Sequence, residues 1–153
     1  PPDILLMGKT MANGFPVSAV ASLRPDPVEP QMLPGSTFSG NPLAAAAVAA
    51  TLDCMRETDM ESNVARVGSV IHEALNPLEA AGYTLRGRGC YWSLQLPESV
   101  SPQTIVSAVR RAGVLVSSAG SFLRLLPAAT TKPSHLERAC EAVVRACRDA
   151  LHP

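Results

Sequence analysis

Charge imbalance is the first thing this sequence lacks: thirteen Lys and Arg residues are matched by thirteen Asp and Glu in 153 positions. A chain so balanced is not patterned as a basic nucleic-acid binder and carries no acidic tail. Long apolar runs are missing as well. The longest, Leu43 to Leu52, is mostly alanine and falls short of the ~18–20 residues of a membrane span. No charged-then-apolar segment of signal-peptide form opens the sequence. Cys54, Cys90, Cys140 and Cys147 show neither a CxxC pair nor metal-ligand spacing, which leaves no metal motif. Cys140 and Cys147 share one helical face and read as small core residues, in keeping with a reducing, cytoplasmic setting. Lysine is the scarcest charge: only Lys9 and Lys132, against eleven arginines.

What is present, 46% hydrophobic residues in a chain of this length, describes one or two small globular units. One stretch organises them, Asp3-Ile-Leu-Leu-Met-Gly-Lys-Thr-Met-Ala-Asn-Gly-Phe-Pro16. Ile4 to Met7 reads as a fully buried strand. Gly8 lets the backbone turn, and Lys9 stands just past the strand end. Burying an unpaired ammonium is expensive. Burial instead lowers a lysine's pKa and makes its amine nucleophilic toward carbonyls, the chemistry of a Schiff base. The alternative is a lysine whose stem packs while its head reaches water.

Pro34-Gly-Ser-Thr-Phe-Ser-Gly-Asn-Pro-Leu43 is the second stretch. Asn41 suits an N-cap and Pro42 the first helical position. Hydroxyls beside a helix N-terminus make an anion site, or merely satisfy the helix's own amides. Taken in order, DILLMGKTMANGFPVSAV and GSTFSGNPLAAAA resemble the class III aminotransferases, fold type I pyridoxal-phosphate enzymes of the ornithine and acylornithine type. Weaker likeness continues through Gly87-Arg-Gly89, Ala112-Gly-Val-Leu-Val116 and Leu123-Arg-Leu-Leu-Pro127.

That resemblance implies an α/β fold, the end of a large cofactor domain followed by a small C-terminal α/β domain. It implies pyridoxal 5'-phosphate held by Lys9 as a Schiff base. Thr37, with Ser36 beside it, would bind the cofactor phosphate of a neighbouring subunit, so that the site is shared in a homodimer. Arg124 would grip a substrate carboxylate or pair with a glutamate; on its residues alone it is equally an exposed-face arginine of a half-buried strand. The family's Leu-Pro-Pro reads Leu126-Pro-Ala128 here, a local departure. The reaction implied is amino transfer from an amino donor to a 2-oxo acid or aldehyde acceptor. Racemases and mutases use the same lysine motif. The resemblance extends only to the family's C-terminal portion, and Pro1-Pro2-Asp3, without an initiator methionine, reads as the interior of a longer protein. An inactive fragment, a noncatalytic remnant, a split-protein subunit awaiting its N-terminal polypeptide, and a cofactor-free binding module therefore stay open.

Residues 1–57 are expected to end the large domain, 58–81 to form a connecting helix, and 82–153 to form the small domain. Strands are expected at Asp3–Met7 and Pro16–Ser22, joined as an antiparallel pair. A proline-bearing surface loop follows at Leu23–Leu33. Helices are expected from Pro42 to Thr58 and from Asp59 to Ala81, the latter bent at Pro77, with Val64, Val67, Ile71, Leu75 and Leu78 as its apolar face. Tyr83–Arg86 and Cys90–Leu96 read as strands with Trp92 in the core, and Arg86 and Arg88 as solvated loop charges. A helix capped by Ser101 spans Ser101–Ala112. Strands at Val114–Val116 and Phe122–Leu126 and a helix Pro133–Leu151 capped by Ser134 complete a mostly antiparallel α/β unit. His72 lies off the apolar stripe and reads as a surface or boundary residue rather than a catalytic one.

Overall fold

In the computed structural model, residues 2–23 and 35–151 are described. The chain divides into two compact units, Pro1–Asp59 and Met60–Pro153. In the first, β1 (Ile4–Met7) pairs antiparallel with β2 (Ala19–Ser22), Ile4 opposite Ser22 and Met7 opposite Ala19. A 3-10 turn over Lys9–Ala12 follows β1 and ends where Asn13 and Gly14 adopt φ of 47° and 108°. Asn and Gly are the residues that enter this left-handed region most readily. Helix α1 (Pro42–Glu57) starts as its sequence dictates: Pro42 fills the first position, and the Asn41 carboxamide accepts from the Leu43 amide at 2.9 Å.

Two expectations fail in this unit. The β1 run is not buried: Ile4, Leu5 and Leu6 are 61%, 47% and 75% exposed. An apolar strand is buried only if layers cover it, and among the described residues β1 has β2 as its sole strand neighbour. The second strand is also shorter than Pro16–Ser22, because pairing with β1 begins at Ala19. The proline-bearing loop lies, Leu23 apart, outside the described residues.

The second unit has a full core. Helix α2 (Met60–Leu75) buries Val67, Ile71 and Leu75 and packs against α4 (Pro133–Asp149), which buries Leu136, Cys140, Val143 and Cys147. The helix expected as a connector is thus part of this unit's core, and Pro77 marks its change into a 3-10 turn over Asn76–Ala81. Gly82, at φ 86°, closes that turn, where a side chain would be strained. Four antiparallel strands follow in the order β3-β4-β6-β5: β3 Thr84–Arg88, β4 Tyr91–Gln95, β5 Ser117–Ala119 and β6 Phe122–Leu125. Helix α3 (Pro102–Arg111) buries Ile105 and Val109 against α4. Leu94, Leu123, Ile105 and Val143 are 0% exposed. Each such buried side chain contributes about 1.5–3 kcal/mol.

Several local expectations are corrected. Val114–Val116 precede the strand; the two-residue loop Gly120–Ser121, with Gly120 at φ 56°, sets Ala119 opposite Phe122 and so makes Ser117–Ala119 the strand. Ser101 sits at the N-cap of α3 but caps nothing with its side chain, which donates to Gln103 Oε1 at 3.1 Å. Ser134 lies inside α4, whose N-cap is Lys132 because Pro133 takes the first helical position. Arg86 and Arg88 are strand residues, since the hairpin turns only at Gly89, φ 56°.

Gly87 is the tightest point of that hairpin. A Cβ there would stand 2.6 Å from the indole of Trp92, which lies over it and donates Nε1–H to the Gly89 carbonyl at 2.7 Å. Gly87→Ala is therefore expected to destabilise the second unit by about 1–3 kcal/mol, as overpacking does. Urea unfolding followed by Trp92 fluorescence measures it.

Candidate functional site

Lys9 begins the 3-10 turn at φ 53°, the left-handed region. For a residue with a branched-off side chain this conformation is uncommon and costs on the order of 1–3 kcal/mol, and such residues cluster at active and ligand sites. Lys9 is exposed rather than pressed into an apolar core. Its burial was expected to activate the amine, and the uncovered β1 removes that premise within this chain. Among the described residues no carboxylate pairs with Lys9. Lys132, the other lysine, is a surface helix cap whose carbonyl accepts from the His135 and Leu136 amides.

Residues 37–40 form the turn that delivers the chain to α1. Ser36 serves it internally: its carbonyl accepts from Ser39 N at 3.0 Å and its hydroxyl from Phe38 N at 3.4 Å. Thr37 is exposed, and its hydroxyl has no partner among the described residues. The 3-10 turn of Lys9 packs against α1. The only two buried residues described in this unit lie one on each, Ala12 at 4% and Ala44 at 8%. Small side chains at that seam let the backbones approach, so the Lys9 turn and the N-terminal turn of α1 belong to one packed structure.

Arg124 lies in the second unit. Leu123 and Leu125 are buried on either side of it, so its own side chain takes the opposite face, as the alternation predicts. It is half-buried between its cross-strand partners Ser93 and Ser117. It is also the one charged residue lining a groove of about 350 Å³, otherwise walled by apolar groups such as Val116, Leu126 and Val143. No hydrogen bond or ion pair occupies its guanidinium among the described residues. A guanidinium without a partner is suited to a carboxylate.

Sequence reasoning overlooked Arg66. It reaches from α2 to the loop after β6, Nη2 donating to Thr131 O at 3.0 Å and Ala129 O at 3.4 Å, while Nη1 is buried without a partner. No periodicity marks it, because it sits one step off the apolar stripe. Its charge also works against the upward push of burial on the Cys90 thiol. Cys140 and Cys147 are core residues as expected, their thiols pushed up to about 11 by burial, so neither is a nucleophile at neutral pH. Tyr83, buried, donates its hydroxyl to the Cys147 carbonyl at 2.7 Å, and burial raises its pKa strongly. His72 is exposed and stacks obliquely with Trp92, ring centres 5.9 Å apart. Among the described residues no group of three or more acidic, His or Cys side chains could hold a metal. No described helix is long and apolar enough to cross a membrane.

The chain belongs to the class-III aminotransferase family, whose pattern matches residues 1–147. It is 32% identical over 151 residues to acetylornithine aminotransferase of Bacillus subtilis, covering 95% of this chain and 38% of that protein. It is 29% identical over 154 residues to the probable mitochondrial ornithine aminotransferase of Caenorhabditis elegans, covering 97% and 36%. The solved ornithine aminotransferase of Toxoplasma gondii, described with partial occupancy of pyridoxal phosphate, superposes with a TM-score of 0.89 at 25% identity, covering 98% of this chain and 37% of that one. The fold is that of the C-terminal part of these α/β enzymes, and pyridoxal phosphate is the family's cofactor. The chain spans little more than a third of their length.

Proposed function

We propose that this chain supplies the lysine-bearing part of a pyridoxal-phosphate-dependent aminotransferase, which moves an amino group from an amino donor to a 2-oxo acid or aldehyde acceptor. The observation that carries the proposal is Lys9: an unpaired, accessible amine held in a left-handed backbone at a strand end, in a chain of this family. The residues present fit the cofactor. Lys9 Nζ would hold it covalently, and the Thr37 hydroxyl, assisted by Ser36, would take the phosphate of the cofactor held by the neighbouring subunit. Bound there, pyridoxal phosphate supplies the electron sink that stabilises negative charge at the substrate's α-carbon. The Lys9 amine would also be the group to carry a proton from and to that carbon as a general base and acid. Arg124 orients the substrate by its carboxylate. Thr37 serving the neighbouring subunit's phosphate makes a homodimer the working unit. Four free thiols, two of them sealed in the core, agree with a reducing compartment such as the cytoplasm.

A second reading is favoured by the exposed apolar β1: the chain is a subunit or segment that another polypeptide must complete before it binds anything. One experiment addresses both. The purified chain is mixed with pyridoxal phosphate, reduced with borohydride and weighed intact, then digested and mapped. A gain of one reduced cofactor on the Lys9 peptide, absent in Lys9→Arg, is the expected result. Label spread equally over Lys132 would sink Lys9 as the special amine. No adduct from folded chain would favour the second reading.

A further inference from the structure

Lys9 and Thr37 stand on one small packed body of the first unit. The 3-10 turn Lys9–Ala12 lies against α1, and the two buried residues described in this unit, Ala12 and Ala44, lie one on each piece. Two successive turns carry Thr37 to the helix start. Ser39 N donates to Ser36 O at 3.0 Å and Asn41 N to Phe38 O at 3.2 Å, after which the Asn41 carboxamide accepts from Leu43 N at 2.9 Å. The Lys9 turn is closed in the same way, Met11 N donating to Gly8 O at 3.2 Å and Asn13 N to Thr10 O at 3.0 Å. An unbroken series of contacts therefore joins Lys9, the alanine seam, the start of α1 and Thr37. Little else holds this body together. Its buried side chains are two methyl groups, and the left-handed backbone at Lys9 opposes the packing. So weakly held a body frays, and it frays as one piece. A ligand that binds only its packed form orders both functional residues together.

We propose that this body couples the two cofactor sites of a homodimer, so that filling one site prepares the other. The inference rests on the reading above, in which Lys9 holds the cofactor of its own subunit and Thr37 the phosphate of the neighbour's. On that reading each pyridoxal phosphate engages two first units, through Lys9 of one and Thr37 of the other. Engaging Thr37 orders the start of α1 in the second unit. The Ala12–Ala44 seam passes that order to the same unit's Lys9 turn while its own site is still empty. The next cofactor then meets a Lys9 already in place and binds more tightly, because less disorder has to be removed. The two states are the packed and the frayed body, and the cofactor favours only the first. Coupling of this kind is positive, and by linkage it acts equally in both directions.

The test is a titration of the purified chain with pyridoxal phosphate, each point fixed by a brief borohydride pulse. The Lys9 amine condenses with the cofactor's aldehyde with loss of one water; borohydride then adds hydride to the C=N bond and water supplies the proton. The labelled fraction of Lys9, read by peptide mass spectrometry, is expected to rise sigmoidally, the second site filling about fivefold or more tighter than the first. Lys132, on the surface of the other unit, should follow a simple hyperbola in the same digests. Ala44→Leu crowds the seam and should make Lys9 labelling hyperbolic, whereas Ala45→Leu, the same bulk at an exposed position, should leave it sigmoidal. A second measurement needs no seam variant. Isotope-labelled wild-type chain is mixed with unlabelled Lys9→Arg chain, and hydrogen exchange is read on the latter. Cofactor should slow the amides of residues 10–12 there by about fivefold or more, although none can attach to that chain. Hyperbolic Lys9 labelling of the wild type overturns the coupling and leaves the role of Lys9 standing, and unslowed exchange in the Lys9→Arg chain does the same. Slowing that persists when Thr37→Val is added to that chain overturns Thr37 as the link. No Lys9 label at all overturns the underlying reading, and the coupling with it.

Discussion

Hydrogen exchange on the purified chain is expected to split at the junction of its two units. Amides of β1, β2 and α1 should exchange within about tenfold of unfolded rates, whereas those of β4, β6 and the core turns of α2 and α4 should be slowed by about 10³ or more. The first unit has almost nothing to hold it: two buried residues, both alanines, among those described. It exposes Ile4, Leu5, Leu6, Val20, Phe38 and Leu43 at 47–79%. A lone two-stranded sheet is marginal in water, and an isolated helix of 16 residues is barely better. The second unit joins eighteen buried residues in one cluster and should hold several kcal/mol of stability. Mass spectrometry after timed deuteration reads the difference directly. Equal protection of both units would mean that the first is covered, by self-association or otherwise, and would sink the expectation.

The faces of β1 indicate what cover it needs. Ile4 and Leu6 point to one side and Leu5 to the other, yet all three are exposed. Strands apolar on both faces belong in the interior of a sheet with layers above and below. The expectation of a buried strand rested on that apolar pattern and fails here, because the covering layers are not supplied by the described residues. Local signals were more readable where both partners lie close in the chain. The Val67-Ile71-Leu75 stripe, the alternation about Trp92 and the Asn41-Pro42 helix start all depend on neighbours within a few residues. Misreadings came where a turn decides the register. Val114-Leu-Val116 looks more like a strand than Ser117-Ser-Ala119, but the Gly120 hairpin pairs the polar triplet with β6. The same error placed Arg86 and Arg88 in a loop, because Gly87 was taken for a loop residue when it is a strand residue beside an indole. Of the candidate site, Lys9, Thr37 and Arg124 are nominated by the family resemblance. The left-handed backbone at Lys9 and the exposure of its side chain were not legible in the sequence.

The purified 153-residue chain is expected to show no detectable transamination, even with excess pyridoxal phosphate, amino donor and 2-oxo acid. Three things it would need are weak or unplaced within it. Lys9 is exposed, so among the described residues nothing apolar keeps water from its amine. The strand that presents Lys9 lacks a packed support, and catalytic groups must be held to well under an ångström to be effective. The relatives devote nearly two-thirds of their length to polypeptide with no counterpart here; losing even one preorganised polar group costs about 10²–10³ in turnover. Adding the complementary N-terminal portion of a relative such as the Bacillus subtilis enzyme should protect the β1 amides and, with them, raise Lys9-dependent activity. A coupled assay for the oxo product, run on the chain alone, on the mixture and on the mixture with Lys9→Ala, measures this. Turnover by the chain alone would refute the expectation outright. Activity in the mixture that survives Lys9→Ala would show that the added portion, and not this chain, had brought the lysine.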